Sequence, residues 1–387
     1  MATVKDMRHT ADLLIAQALR SRPVEWPVDG DADGFGKTFI ERAGYHGAIG
    51  LLNAANETIA LWPTSVRREL REQAFAAAAW EMRHRSYINE VTIRLAEKQI
   101  CAVILKGTAL AYDLYAQPAH RSRSDTDLLV EKHNVDAVRQ EFSALGFARG
   151  TSADGPFGEI HLQEGWTRIC PSGVEHLIDL HWQTMNAPAL EGALTFADCL
   201  DDPVRLPRLG PAAMAMGHPA MLLHACLHRA SHLSAPYHYE GIAYFGGDRL
   251  IWLYDIKLLA KALSDAEWHK FVRLAQVRGA AGLCGECLAL AIGRLDVQIP
   301  REVIAQLTAS ATGGADRYLL GMRRLERGIA NLKAVRGVRA KLNHVAARAF
   351  PSERFMRAKY PGNRHIPLPL LYFRRLIRGF TSKLWTR

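Results

Sequence analysis

Val103-Ile-Leu-Lys-Gly-Thr108, followed by Ser124-Asp-Thr-Asp-Leu-Leu-Val130, is the stretch on which the reading of this chain turns. The apolar run Val103 to Leu105 reads as a short buried strand. It ends at Lys106-Gly107-Thr108, where glycine permits a sharp turn or a close approach of backbone to a ligand. Thr108 is then expected to cap a helix with Ala109, Leu110 and Leu114 on one side, which Pro118 ends. Residues 124–130 read as a second strand. Asp125 and Asp127, two residues apart, share one of its faces. Such a pair is either a strand end facing solvent or a holder for a divalent cation that carries phosphates. Magnesium takes hard oxygen ligands, usually one or two carboxylates plus phosphate oxygens.

A third acid lies in Glu175-His-Leu-Ile-Asp179-Leu-His-Trp182, a further strand pattern with apolar residues on both sides of Asp179. A lone acid in such a place is costly to bury unless paired or metal-bound. Three aspartates on two adjacent strands suit two metals about 3.5–4 Å apart, as in phosphoryl displacement.

Taken together, Leu-Lys-Gly-x-Ala-Leu, Arg-x-x-x-Asp-x-Asp-Leu-Leu-Val and Ile-Asp-Leu-His-Trp resemble the nucleotidyltransferases of the DNA polymerase beta superfamily. More narrowly, they resemble a bacterial family of uncharacterised nucleotidyltransferases. The resemblance runs from about residue 85 to 260 and faintly to the C-terminus. Gly107-Thr108 stands where the superfamily has Gly-Gly or Gly-Ser. The resemblance implies an NTP donor and two Mg2+ ions, with Mn2+ as a substitute, held by Asp125, Asp127 and Asp179. Asp179 would also help deprotonate an acceptor hydroxyl. Backbone N–H groups of Gly107 and Thr108 would cradle phosphates at a helix N-terminus. Lys106 and Arg121 are candidates to neutralise the leaving pyrophosphate, although Lys106 could instead pair with one of the acids. His228, His232 and Arg249 would lie near the phosphates.

The expected fold class is α+β, a small mixed sheet flanked by large helical regions. Residues 1–100 read as an N-terminal helical region, 101–185 as the catalytic core, 186–310 as a helical domain completing the cleft, and 311–387 as a basic helical segment. Helices are expected over 5–22, 36–55, 65–99 and 134–144, with a loop over 23–35. Strands are expected at 147–149, 159–162, 167–170 and around Asp179, with turns at Gly155, Gly165 and Gly173. Residues 188–211 read as loop, 218–232 as a helix, and 247–309 as helices with turns at Gly279, Gly293 and Pro300. Histidines 224, 228 and 232, four apart, share a helix face. That face points to zinc, to the nucleotide cleft or to a domain interface, and no acid between the histidines supports zinc. Asp255 reads as an N–H acceptor or a partner for Arg249, in either case a structural role.

With 387 residues, 49% hydrophobic and 23% charged, the chain has the composition of an ordinary globular protein of two or three domains. No apolar run reaches a membrane span, and the charged N-terminus is unlike a signal peptide. The six scattered cysteines suit a reducing cytoplasm. Cys284-Gly-Glu-Cys287 lacks a second pair and reads as buried structural thiols.

Residues 317–387 carry eighteen Lys/Arg against two acids, a net +16 in a chain of total charge +10. Aromatic residues interleave them, and 368–385 reads as a basic amphipathic helix. This segment suits nucleic acid, an anionic membrane surface, with a cytoplasmic protein peripheral to the inner membrane, an acidic partner, or a solvated basic face. No nucleic-acid module is present. The acceptor hydroxyl is expected on a small molecule, a peptide or a protein, the first two favoured. Two alternatives remain: a nucleotide-sugar glycosyltransferase using Asp-x-Asp, and a non-catalytic scaffold on a nucleotidyltransferase fold.

Overall fold

The computed structural model describes residues 4–27, 32–150, 162–233, 237–239, 242–244, 248–360 and 366–384. Four helices precede the sheet: α1 (Val4–Ala18), α2 (Ala32–His46), α3 (Ile49–Ala54) and α4 (Thr64–Glu97). The helix expected over 36–55 is broken at Gly47, which has φ +69°. A Cβ there would lie 3.1 Å from the Arg249 guanidinium and 3.2 Å from Ile251, so side chains from a distant helix close the gap between α2 and α3. Helix α4, about 50 Å long, buries Ile88, Val91 and Leu95 at helical spacing and delivers the chain directly to the first strand.

The sheet contains β1 (Ala102–Ile104), β2 (Asp125–Val130), β3 (Ala148–Arg149), β4 (Gln163–Ile169), β5 (Glu175–His181), β6 (Val204–Arg205) and β7 (Met214–Ala215), in the order β3-β4-β5-β2-β1-β7-β6. It is mixed: β2 runs parallel to β5 and antiparallel to β1, and β4 runs antiparallel to β5. Helix α5 (Lys106–Asp113) follows β1, and α6 (Val135–Ala144) follows β2. Central β2 buries every residue after Asp125, as its apolar run requires.

Several expectations are corrected here. Gly165 lies inside β4, opposite Asp179, and is not a turn. The strand expected at 167–170 is the second half of β4. Residues 159–161 and Gly155 lie outside the described residues. The loop expected over 188–211 contains a turn of 3-10 helix (Pro188–Leu190), the short helix α7 (Phe196–Cys199) and β6. Gly293 lies within a helix, not at a turn, whereas Gly279 (φ +65°) and Pro300 do mark helix boundaries.

Helix α8 (His218–Leu233) leads into a small hairpin, β8 (Tyr237–Tyr239) and β9 (Ile242–Tyr244). Then come α9 (Leu250–Ala262), α10 (Asp265–Val277), α11 (Ala281–Leu295) and α12 (Arg301–Thr308). The last stretch holds α13 (Gly314–Asp316), α14 (Arg324–Ala334), α15 (Val338–Ala349), α16 (Glu353–Lys359) and α17 (Leu368–Leu384). One hydrophobic cluster runs from Ala11 to Leu319, and a smaller one gathers Met356, Tyr360 and Leu371. Among the described residues, no helix is long and apolar enough to cross a membrane. The two cysteines of Cys-x-x-Cys are free and fully buried.

Candidate active site

The site is built on β2 and β5. Their parallel register sets Asp127 directly beside Asp179. Both side chains therefore project from the same face of adjacent strands, as alternation demands. Two residues beyond Asp179, on that same face, lies His181. Ligand atoms of Asp127, Asp179 and His181 come within 4.8 Å of one another. His181 Nε2 donates to Asp127 Oδ1 at 2.8 Å, and Lys106 Nζ donates to the same oxygen at 2.5 Å. Gln163 Nε2 donates to Asp179 Oδ2 at 3.1 Å. Gly165 keeps the space beside Asp179 open: a Cβ there would stand 3.4 Å from Oδ1.

Sequence reasoning did not single out His181. The signal was present in Asp179-Leu-His181, since residues i and i+2 of a strand share a face.

The three carboxylates differ in electrostatics. Burial pushes Asp125 up to about 7, and the neighbouring charges of Asp127 and Asp179 add to it. Burial raises Asp179 as well, again with help from Asp127. Burial also acts to raise Asp127, but Lys106 and His181 outweigh it and hold this carboxyl well below the usual range. Lys106, in turn, is raised because the attraction of Asp127 outweighs its desolvation. Lys106 pairs with an acid, as the sequence allowed. Its backbone is left-handed, φ +49°, an unusual state for a side chain of its size. The bond from Leu105 N to Asp127 O (2.9 Å) ties this turn to the strand that carries the acids.

Two expectations around the turn change. Thr108 is not a cap: the helix begins after Leu105, and Thr108 is its third residue. Its hydroxyl is 2.8 Å from that of Thr126, which meets His84 Nε2 at 2.7 Å. Gly107 lies over the Arg121 guanidinium, where a Cβ would stand 3.4 Å from its central carbon. Asp255 pairs with Arg121 and not with Arg249. Arg121 Nε and Nη2 each donate to Asp255 at 2.8 Å, its Nη1 donates to Ser122 O, and Tyr115 adds a 2.7 Å bond to Asp255. This buried pair joins the turn before β2 to α9.

Lys106, Arg121, His224, His228, Trp252 and Asp255 line a common narrow cleft of about 30 Å³. The structure thus brings two of the cationic candidates and two of the three helix histidines to one place. His232 and Arg249 lie further out, against Trp252: His232 stacks on its ring at 5.2 Å, and the Arg249 guanidinium is 5.8 Å from it. Arg249 also donates to Tyr45 O at 2.5 Å. Burial, reinforced by Lys106, pushes His224 down to about 3, His232 down to about 4 and His228 well below its ordinary value. In the absence of a bound anion, burial thus disfavours charge on all three imidazoles.

The set of donors fits a divalent cation. Two carboxylates and an imidazole converge, a third carboxylate stands close enough to be perturbed by both acids, and Lys106 is the cation paired with them. The buried Nδ1 of His181 has no hydrogen-bond partner among the described residues. Comparison with curated proteins gives no match. A family model described as an uncharacterised nucleotidyltransferase matches residues 37–296, from within α2 to the residue after α11, and the chain belongs to that family.

Proposed function

We propose that the chain transfers a nucleoside monophosphate from an NTP to the hydroxyl of a small molecule or peptide. The observation that carries this reading is the register pairing of Asp127 with Asp179, with Lys106 and His181 both fixed on Asp127. Asp127 and Asp179, with Asp125 beside them, would hold magnesium, or manganese in its place. A cation bound there would screen the triphosphate and polarise the phosphoryl group under attack. With two ions, Asp125 and Asp127 would bind both and Asp179 would complete the second site.

The residues supply the rest. Lys106 and His181 orient Asp127. The turn at Lys106-Gly107 opens the N-terminus of α5, whose free N–H groups and dipole favour phosphate. In the transfer, the acceptor oxygen bonds to the α-phosphorus, the bond to the β-phosphate oxygen breaks, and pyrophosphate leaves. Asp179, the acid beside Asp127, would help accept the hydroxyl proton. Family membership and the helical character of residues preceding β1 weigh against the glycosyltransferase alternative, which expects an α/β nucleotide-binding unit there.

The test is to incubate the purified chain with α-labelled NTPs, magnesium and a fractionated cell extract. We expect label in an acceptor and stoichiometric pyrophosphate, both abolished in Asp179→Asn. Asp179 is held by one hydrogen bond from Gln163 and repelled by Asp127, so this variant keeps its fold. Labelling that persists in Asp179→Asn would sink the proposal.

A further inference from the structure

Beyond residue 317, apolar side chains stand on the outside of helices whose inner faces are already used. In α14, Asn331 is buried, where its side chain bonds Tyr318 and the Ala189 N–H, so this face is fixed against the Pro188–Leu190 turn. Leu325 (68% exposed) and Ile329 (48%) point the other way. In α15, His344 and Ala347 are buried, while Val338 (76%), Leu342 (65%) and Val345 (50%) are exposed. At about 100° per residue, those three fall within roughly 60° of one another around the axis, away from the buried pair. Helix α17 buries Leu371 and exposes Leu370 and Phe373. Arg323, Arg324, Lys333, Arg336, Arg339 and Arg348, at the start of α14, within α14 and α15 and in the turn between them, are exposed as well.

We propose that α14, α15 and α17 form a surface that lies on anionic lipid. The argument is one of complementarity. Exposed leucine, isoleucine and valine at helical spacing gain by entering hydrocarbon, and the exposed arginines gain by meeting acidic headgroups. A second copy of the chain would bring two segments of net +16 face to face. A nucleic acid would satisfy the arginines but offers branched aliphatic side chains nothing, since sequence-tolerant binding relies on aromatic stacking. No described helix can span a bilayer, so the mode is attachment to the surface. This inference stands apart from the catalytic proposal, because the helices lie beyond the family-matched residues 37–296.

The experiment is flotation of the full chain with vesicles of phosphatidylcholine alone and of phosphatidylcholine mixed with phosphatidylglycerol. Binding is expected to the mixed vesicles only, and to weaken as salt is raised. Leu342→Glu combined with Val345→Glu should abolish it without lowering the melting temperature, since both positions face outward. Arg336→Glu combined with Arg339→Glu should weaken it roughly thirtyfold or more. Equal flotation with neutral vesicles, none with anionic ones, or unaltered binding by Leu342→Glu/Val345→Glu would each overturn the proposal. So would a dimer or a complex with single-stranded RNA, in place of lipid binding, that this apolar double variant disrupts.

Discussion

At the scale of single residues, the site depends on unequal treatment of three like carboxylates. Asp127 is held ionised by Lys106 and His181, whereas Asp125, buried beside two other acids, is pushed up to about 7. The sign of its pH dependence follows. The folded state holds a proton on Asp125 up to about pH 7, while the unfolded chain releases it near the ordinary aspartate value of 3.8. Without metal, stability therefore falls as pH rises through this window, by up to a few kcal/mol. Asp179→Asn removes one of the charges that raise Asp125, so it should lift stability above about pH 7 and flatten the slope. Urea unfolding at about pH 5 and about pH 8 measures this; a variant with an unchanged slope would contradict the coupling. Magnesium competes with the proton for these groups, so its binding should strengthen over the same rise in pH.

At the scale of elements, two devices place the site: the β2–β5 register and the buried Arg121–Asp255 pair. Removing one partner of such a pair leaves an unpaired buried charge and costs about 3–5 kcal/mol. Arg121→Ala should therefore lower stability by that order, seen in chemical denaturation. The two single variants and the double variant form a cycle in which strong coupling is expected and simple additivity would refute it. The strands bearing Asp125, Asp127 and Asp179 were legible because alternation assigns side chains to faces without knowledge of the partner strand. Other elements were not. Strands β6 and β7 are two residues each, too short for any period to show. Gly165 was misread because glycine signals turns locally, whereas here it faces a carboxylate across a ladder. The partner of Asp255 was out of reach because Arg121 lies 134 residues away and Arg249 only six.

At the scale of the molecule, the strands that carry Asp125, Asp127 and Asp179 share one hydrophobic cluster with the N-terminal helices and with α8–α12. The α+β class was readable from the alternation of helical and strand periods. The hydrophobic pattern also foretold α4, α6 and α8 within a few residues. Whether Lys106, His224 and His228 share a cleft was not readable, since that depends on α8 crossing near α5. The central claim is that Asp127 and Asp179 hold a cation on which a nucleotide is bound. Thermal shift with each of the four NTPs, with and without magnesium, tests it most directly. At a hundredfold its dissociation constant, a ligand adds about 2.7 kcal/mol of stability. The account predicts a magnesium-dependent rise with at least one NTP in the natural chain and none in Asp179→Asn, with that variant still folded. A rise that needs no magnesium, or that survives unchanged in Asp179→Asn, would contradict it.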